Sequence, residues 1–381
     1  MTEPLVTTVP FYDLGVSVRS HTAELHAALD EVINSGYFIG GAITERFENE
    51  FAEFVGASYG IGTGNGLDSI RLILEAYNIG VGDEVIVPAF TYYATWLAVL
   101  QTGATPVPVD VLPSSANLDP AAIAAAVTAK TKAIIPVHLF GQAADLKAIV
   151  AVANEHGLIV VEDAAQSHGA VSTAGMTGSV GHAAAFSFYP TKNLGALGDA
   201  GGVTTSDEAV AARIRSRRSY GQGSSKYDHV DTGWNSRLDP LQAAFLSLHL
   251  KKLPEATARR REIAGRYHEA LAGRSAGVAG PVDLEGSVWH HFVLKATDRA
   301  AVQQFLGERG VTTDAHYPYS ITDIAPMRAA MRAEDLERSY PVAELMGASV
   351  VSLPMGPWMT QQQVEQVAGA LAEIPDGLLQ G

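Results

Sequence analysis

The chain has 381 residues, 47% hydrophobic and 18% charged, a profile of a soluble globular protein too long for one hydrophobic core, so a large domain and a smaller one are expected. A formal net charge of −15 argues against nucleic acid and anionic membranes as partners, and any anionic ligand must be met by a local cluster of donors. With no cysteine in the chain, disulfides, thiolate metal sites and a cysteine nucleophile are excluded.

The first twenty residues, MTEPLVTTVPFYDLGVSVRS, lack a basic start followed by an apolar stretch, and no run approaches the ~18 apolar residues of a membrane span, so a cytoplasmic protein is expected. Next comes IGTGNGLDSIRLILEAY, a helix opened by Gly62, Gly64, Asn65 and Gly66. Such a helix start offers free backbone N–H groups and a favourable dipole to an anion such as phosphate. A dinucleotide fingerprint fits less well, because Leu67 replaces its third glycine. From Glu84 onward, strand-like and helix-like runs alternate: GDEVIVP, TWLAVLQTG, TPVPVD, DPAAIAAAVTA, KAIIPVHLF, ADLKAIVAVANEHG, LIVVEDAA. That series requires crossover helices, a mostly parallel sheet covered on both faces and hence a three-layer α/β domain with its ligand site at strand carboxyl ends.

Asp163 falls just past the apolar strand Leu158 to Val161, and Lys192 follows a second one, Ala183 to Phe188, in the glycine-rich run FSFYPTKNLGALGDAGG. A carboxylate and a reachable lysine at two neighbouring strand ends suit pyridoxal phosphate: the acid keeps a pyridinium protonated and the lysine binds the carbonyl. Gln166, Ser187 and Asn193 belong to the same stretches, and Tyr92 and Tyr93, in PAFTYYATW, sit at another strand end where a flat ring could stack. In GWNSRLD, Asn235 and Arg237 are an amide and a guanidinium suited to phosphate oxygens, with helix capping as the plain reading of Asn235 or Ser236.

After Arg237 the chain becomes a long amphipathic helix pattern in which Pro254 is expected to cause a kink or a break. Beyond Gly280 come a strand at VWHHFVLKA, a helix at ATDRAAVQQFLGERG, a strand at VTTDAHY, and a further strand and helix. This is a smaller α+β domain, with division expected at 1–250 and 251–381. On the first of those strands the adjacent His290 and His291 would face opposite ways, one of them structural. His138, His168, His290, His291 and His316 show no i, i+4 pair with a nearby acid, so no metal site is expected. Arg213, Arg215, Arg217 and Arg218, and Arg259 to Arg261, read as solvated faces.

Taken together, GTGNGLDS, GDEVIVPAFTYYAT, GATPVPVDV, KAIIPVHLFG, VEDAAQSHGA, AAFSFYPTKNLGALGDAGG and GWNSRLDPLQAA resemble the DegT/DnrJ/EryC1/StrS family of nucleotide-sugar aminotransferases, from about Phe11 to the C terminus. The resemblance implies a type I PLP fold like that of aspartate aminotransferase and a homodimer whose active sites draw on both subunits. It makes Lys192 the cofactor-binding lysine and general acid/base, Asp163 the partner of the ring nitrogen, Gln166 a neighbour of the ring hydroxyl and Tyr92 the stacking aromatic. Gly64, Asn65 and Ser187 match phosphate contacts, and Asn235 matches one reaching over from the other subunit. Many relatives have a hydroxyl residue at the Gly64–Asn65 turn, which implies mostly backbone contacts here.

Arg237, Tyr317, His316, Tyr189 and Tyr227 are positions expected near the sugar nucleotide, with Lys226 in the same altered loop as Tyr227. The implied reaction moves an amino group from L-glutamate, by way of pyridoxamine phosphate, to a dTDP- or UDP-linked ketosugar at C3 or C4, in natural-product or polysaccharide synthesis. Two relatives of other character are a sugar dehydratase, in which a histidine replaces the lysine, and a non-catalytic regulatory protein. Lys192 argues against the first and the full set of chemical residues against the second.

Overall fold

A computed structural model describes residues 8–225, 227–271, 277–283 and 285–380. Its centre is a seven-stranded sheet made of β1 (Tyr59–Thr63), β2 (Glu84–Pro88), β3 (Thr105–Val109), β4 (Thr131–Ile134), β5 (Ile159–Asp163), β8 (Ala183–Ser187) and β9 (Gly201–Thr205). The intervening β6 (Val171–Ser172) and β7 (Gly175–Met176) form a separate two-stranded ladder. The spatial order is β1-β9-β8-β5-β4-β2-β3, and β9 alone runs antiparallel to its neighbours.

The strands are short runs such as EVIVP, buried along their whole length, as befits a sheet covered on both faces. Successive residues of β5 show how the two faces are filled. Val161 packs with Ile70, Val99 and Val203 beneath the helices Gly66–Ala76, Tyr93–Gln101 and Glu208–Arg217, whereas Val160 packs with Ile86, Ile149 and Ala153 on the side of Leu146–His156. Helix Ala42–Val55 approaches β1 so closely that a Cβ on Gly60 would lie 2.2 Å from the Glu48 carbonyl oxygen. The α/β three-layer architecture anticipated from the alternating runs is the one observed.

The helix Pro240–Ala270 is a single element of 31 residues that continues through Pro254, without the expected division. Its first half, at Ala243, Leu246, Leu250 and Leu253, shares a core with Phe47 and Phe51 of helix Ala42–Val55 and with Phe188 just past β8. Its second half, at Ile263, Ala264 and Tyr267, belongs to another core built on the antiparallel sheet β10 (Val278–Gly280), β11 (Phe292–Lys295) and β12 (Val350–Leu353), covered by helices Arg299–Gly307 and Gln361–Ala372. The passage from one core to the other occurs along one continuous helix, which spans residue 250.

VTTDAHY is not a strand. Val311 and Asp314 make single bridges to Val9 and Ser352, and the backbone between them is irregular. Among the described residues, no helix is long and apolar enough to cross a membrane.

Candidate active site

A cavity of about 640 Å³ opens at the carboxyl ends of β2, β5 and β8, the position an open α/β sheet favours. It brings together Lys192, Asp163, Asn65, Tyr92, Gln166, Ser187, Tyr189, His316 and Tyr317, residues from five separate stretches of the chain.

Asp163 ends β5, paired in register with Ala185 of β8, so it stands two residues from the level of Ser187 on the neighbouring strand. Its Oδ2 accepts from Thr95 Oγ1 at 2.8 Å and its Oδ1 from the Ala165 amide at 3.2 Å. Burial pushes the carboxyl above its ordinary pKa, against these donors and the charge of Lys192. Thr95 projects from the first turn of helix Tyr93–Gln101, and its hydroxyl is also 3.1 Å from that of Thr91.

Lys192 lies in the turn after β8. Burial brings its amine down to about 8, the negative charge of Asp163 opposing the shift. The turn is tied from three directions. Tyr12 Oη donates to the Thr191 carbonyl, His249 Nδ1 donates to that of Gly195 at 2.7 Å, and Asn193 bonds the Val288 carbonyl and His290 at 2.8 and 3.0 Å. A lysine held this way gives up little further conformational freedom when it reacts.

Gln166 is buried, its Oε1 accepting from the Phe140 amide at 2.7 Å and its Nε2 donating to Tyr317 Oη at 2.9 Å. The Tyr317 ring lies 5.3 Å from that of Tyr92, which is 56% exposed at the cavity rim. At the start of helix Gly66–Ala76, Asn65 Oδ1 caps the Asp68 amide at 2.8 Å and the Gly64 amide donates to Ser236 Oγ at 3.0 Å. The amides of Gly66 and Leu67, which line the cavity, have no partner among the described residues. A Cβ on Gly66 would come within 2.9 Å of the Ser187 Cβ, so only glycine leaves this helix end open.

Asn235, Arg237 and Tyr227 lie outside the cavity. Asn235 is exposed and bridged to Ser219, the Arg237 guanidinium lies 5.5 Å from the Tyr220 ring, and Tyr227 is 84% exposed. Lys226 lies outside the described residues. The arginines of both clusters have partners within the chain: Arg217 pairs with Glu75 and Asp231, Arg218 with Glu48, and the buried Arg260 donates to the Trp289 and Met355 carbonyls.

Several cavity residues went unnoticed in the sequence: Phe11, Tyr12, Thr95, Asp199 and Asp314. Only Thr95 left a signal, being one helical turn beyond Tyr92 and so directed back toward the strand ends. The expectation that His290 and His291 face opposite ways also fails. Both precede β11, Trp289 before them has a positive φ of 49°, and in this irregular backbone the two rings are 4.1 Å apart and both line the cavity.

Residues 19–372 match the model of the DegT/DnrJ/EryC1/StrS aminotransferase family. The chain belongs to that family. It is 43% identical over 363 residues to a dTDP-3-amino-3,6-dideoxy-alpha-D-galactopyranose transaminase of Aneurinibacillus thermoaerophilus, covering 95% of this chain and 98% of that protein. Over 367 residues it is 42% identical to a dTDP-3-amino-3,4,6-trideoxy-alpha-D-glucose transaminase of Streptomyces venezuelae, covering 96% of each. Among solved structures, S. venezuelae DesV in complex with a ketimine intermediate superposes with a TM-score of 0.91 at 41% identity, covering 96% of this chain and 98% of that one.

The chain is thus an aminotransferase of the type I PLP fold, and its cofactor is pyridoxal phosphate. The cavity fits that group: an acid with open acceptor positions at the floor, a lysine of lowered pKa, and two unpaired amides with a hydroxyl at a glycine-opened helix end.

Proposed function

We propose that this chain transfers the amino group of L-glutamate to the ketone of a dTDP- or UDP-linked deoxysugar. The observation that carries the reading is that one cavity holds a lysine whose amine is lowered to about 8 and a buried acid raised by the same burial. Relatives named for 3-amino sugars at 43 and 42% identity favour C3 over C4.

When bound, pyridoxal phosphate supplies an electrophilic carbonyl and a ring that delocalises the charge left when a substrate loses its α-proton. Asp163 holds a proton at the ring nitrogen, which makes the ring a better electron acceptor. The Gly66 and Leu67 amides and the Ser187 hydroxyl would hold the phosphate, Tyr92 would stack on the ring, and Gln166 would meet the ring hydroxyl. Lys192 Nζ, neutral in a substantial fraction near pH 8, takes the α-proton from the amino donor and returns one to the sugar in the second half-reaction. His316, Tyr317 and Tyr189 border the sugar.

The working form is a homodimer. Asn235 and Arg237, suited to phosphate oxygens yet outside their own cavity, complete the partner's site, and Tyr227 covers the sugar from there. Support comes from the apolar run Tyr37, Phe38 and Ile39, which is 68, 61 and 55% exposed in the single chain. A cytoplasmic location accords with sugar-nucleotide substrates.

The test is incubation of the PLP-loaded protein with L-glutamate and, separately, dTDP-linked 3-keto and 4-keto 6-deoxysugars, with Lys192→Ala as control and products identified by mass and NMR. An amino sugar formed from the 3-keto compound and absent with the variant is expected. Failure to convert the cofactor with L-glutamate would overturn the reading; a converted cofactor with no amino sugar from either compound would overturn only its dTDP branch and leave UDP-linked ketosugars as the substrates.

A further inference from the structure

One wall of the cavity is a run of stacked rings. Phe11 lies 5.5 Å from His316 at 19°, His316 lies 4.0 Å from His291 at 22°, and His291 lies 4.1 Å from His290 at 50°. All four residues line the space that also holds Lys192. They come from the N-terminal segment, the approach to β11 and the loop after Val311, so nothing local in sequence assembles them.

Two of the three histidines are tied by a protein partner. His290 Nδ1 donates to Asn193 Oδ1 and His316 Nδ1 pairs with Ser352 Oγ, both at 3.0 Å. His291 differs. Only 5% of it is exposed, and among the described residues neither of its ring nitrogens has a hydrogen-bond partner. Burial first, then the charges of His316, Lys192 and Arg260, hold its imidazole well below the usual histidine range. The ring is therefore neutral at working pH and offers one N–H donor and one acceptor nitrogen to the cavity. The imidazole of His168, 0% exposed, is also without partners but is shut inside the fold, whereas the His291 ring lines the cavity, where a ligand atom can satisfy it.

We propose that His291 is a specificity-determining residue that hydrogen-bonds the sugar's 4-hydroxyl, next to the C3 ketone, so that the enzyme prefers ketosugars bearing that hydroxyl over their 4-deoxy counterparts. This rests on the ketosugar reading above. The position follows from the cavity: the ketone carbon must come to Lys192, whose charge reaches His291 in the same cavity, and the His291 ring is 4.1 Å from that of His290, which bonds Asn193, the residue after Lys192. A substituent meeting His291 is therefore a near neighbour of the reacting carbon. A neutral imidazole matches a hydroxyl, which both donates and accepts. A site arranged to hydrogen-bond a substrate hydroxyl discriminates against the analogue lacking it, because its own polar group is then left unpaired.

The experiment compares dTDP-linked 3-keto-6-deoxyhexoses with and without the 4-hydroxyl as acceptors for wild type, His291→Leu and His291→Gln, with L-glutamate as donor. Calorimetric titration with the two dTDP-3-amino sugars gives a readout independent of turnover. Wild type is expected to favour the hydroxylated sugar by about tenfold or more in kcat/KM and in Kd. His291→Leu should bring that ratio close to one, and His291→Gln, which keeps a donor and an acceptor, should retain most of it. Cofactor absorbance identifies folded, loaded variants. An unchanged ratio in folded His291→Leu, or a wild type without preference, overturns the assignment and leaves the aminotransferase reading standing. Loss confined to the glutamate half-reaction also overturns it, by giving His291 to the donor carboxylate. Failure of wild type to bind or aminate either sugar overturns the assignment together with the dTDP-linked reading on which it rests.

Discussion

Glu162 and Asp163 are consecutive carboxylates on one buried strand, and they are treated in opposite ways. Glu162 accepts from His138 Nε2 at 2.9 Å and from the amides of Gly178, Val180 and Gly181 at 2.7, 3.0 and 2.7 Å, so every acceptor position has a donor. His138 Nδ1 in turn accepts from the Ala144 amide at 3.1 Å, which fixes the tautomer that donates to Glu162. Burial disfavours the Glu162 charge, but His138 and the amides outweigh it and hold the carboxyl below its ordinary value. Asp163, on the other face, has one hydroxyl and one amide, and its carboxyl is raised. A closed set of partners marks a carboxylate used to hold loops together. An open set at a cavity marks one waiting for a cation from outside the chain.

The largest effect that would break this comparison is on stability. Glu162→Gln removes the charge that four donors are arranged around, and about 3–5 kcal/mol of unfolding free energy should be lost at neutral pH, measured by urea denaturation. A pKa lowered in the folded state stabilises above the unfolded value and is lost as pH falls through the folded one. The gap between wild type and variant should therefore narrow below about pH 4.5. A gap that stays constant to pH 3 would mean that the Glu162 charge is not what matters.

Asp163→Asn should do the reverse. Turnover falls about 10²-fold with a much smaller change in KM, because the carboxylate acts on the reacting state rather than on binding. The cofactor-free variant should melt higher than cofactor-free wild type at neutral pH, since a raised acid destabilises the fold once pH exceeds its unfolded value near 3.8. A lower melting temperature would show that Asp163 is structural, like its neighbour.

Lys192 sharpens the contrast through pH. Capture of pyridoxal phosphate by the cofactor-free protein, followed by absorbance, should accelerate with a midpoint near pH 8, because the neutral amine is the reactive form and burial lowers its pKa from 10.5. In Asp163→Asn the midpoint should fall further, as the charge that opposes the shift is gone. A midpoint near 10.5 in wild type would mean a solvated lysine.

The smallest expected effect is that of Thr95→Val. It removes the 2.8 Å hydrogen bond that favours the Asp163 carboxylate and should weaken cofactor binding about tenfold, a loss of roughly 1.4 kcal/mol, read by equilibrium dialysis. Unchanged affinity would assign the tuning of Asp163 to the Ala165 amide and the charge of Lys192.

How much of this could be read beforehand follows from distance along the chain. The strands announced themselves because each is a short run of apolar residues with its own turn, and a residue just past such a run lies at the sheet's carboxyl edge wherever the strand ends up. That is why Asp163, Lys192 and Ser187 could be brought together from residue types and spacing, and why the glycine-opened helix start at Gly66 could be read as an anion site, whereas the choice of Tyr92 over Tyr93 came from the family resemblance. The continuity of Pro240–Ala270 through Pro254 was not legible, because packing against two cores outweighs the local cost of proline.

By itself, then, the amino-acid sequence determined the layered α/β fold, the strand-end acid and lysine, and the family, since each depends on local pattern. Only the tertiary structure decided which partners each buried group has. Glu162 is saturated and Asp163 open because loops 15 to 20 residues away fold over one face of β5 and not the other. Phe11, His291 and His316 form one wall because segments some three hundred residues apart meet at the cavity. Contacts of that range are set by the packing of whole elements, and no local pattern encodes them.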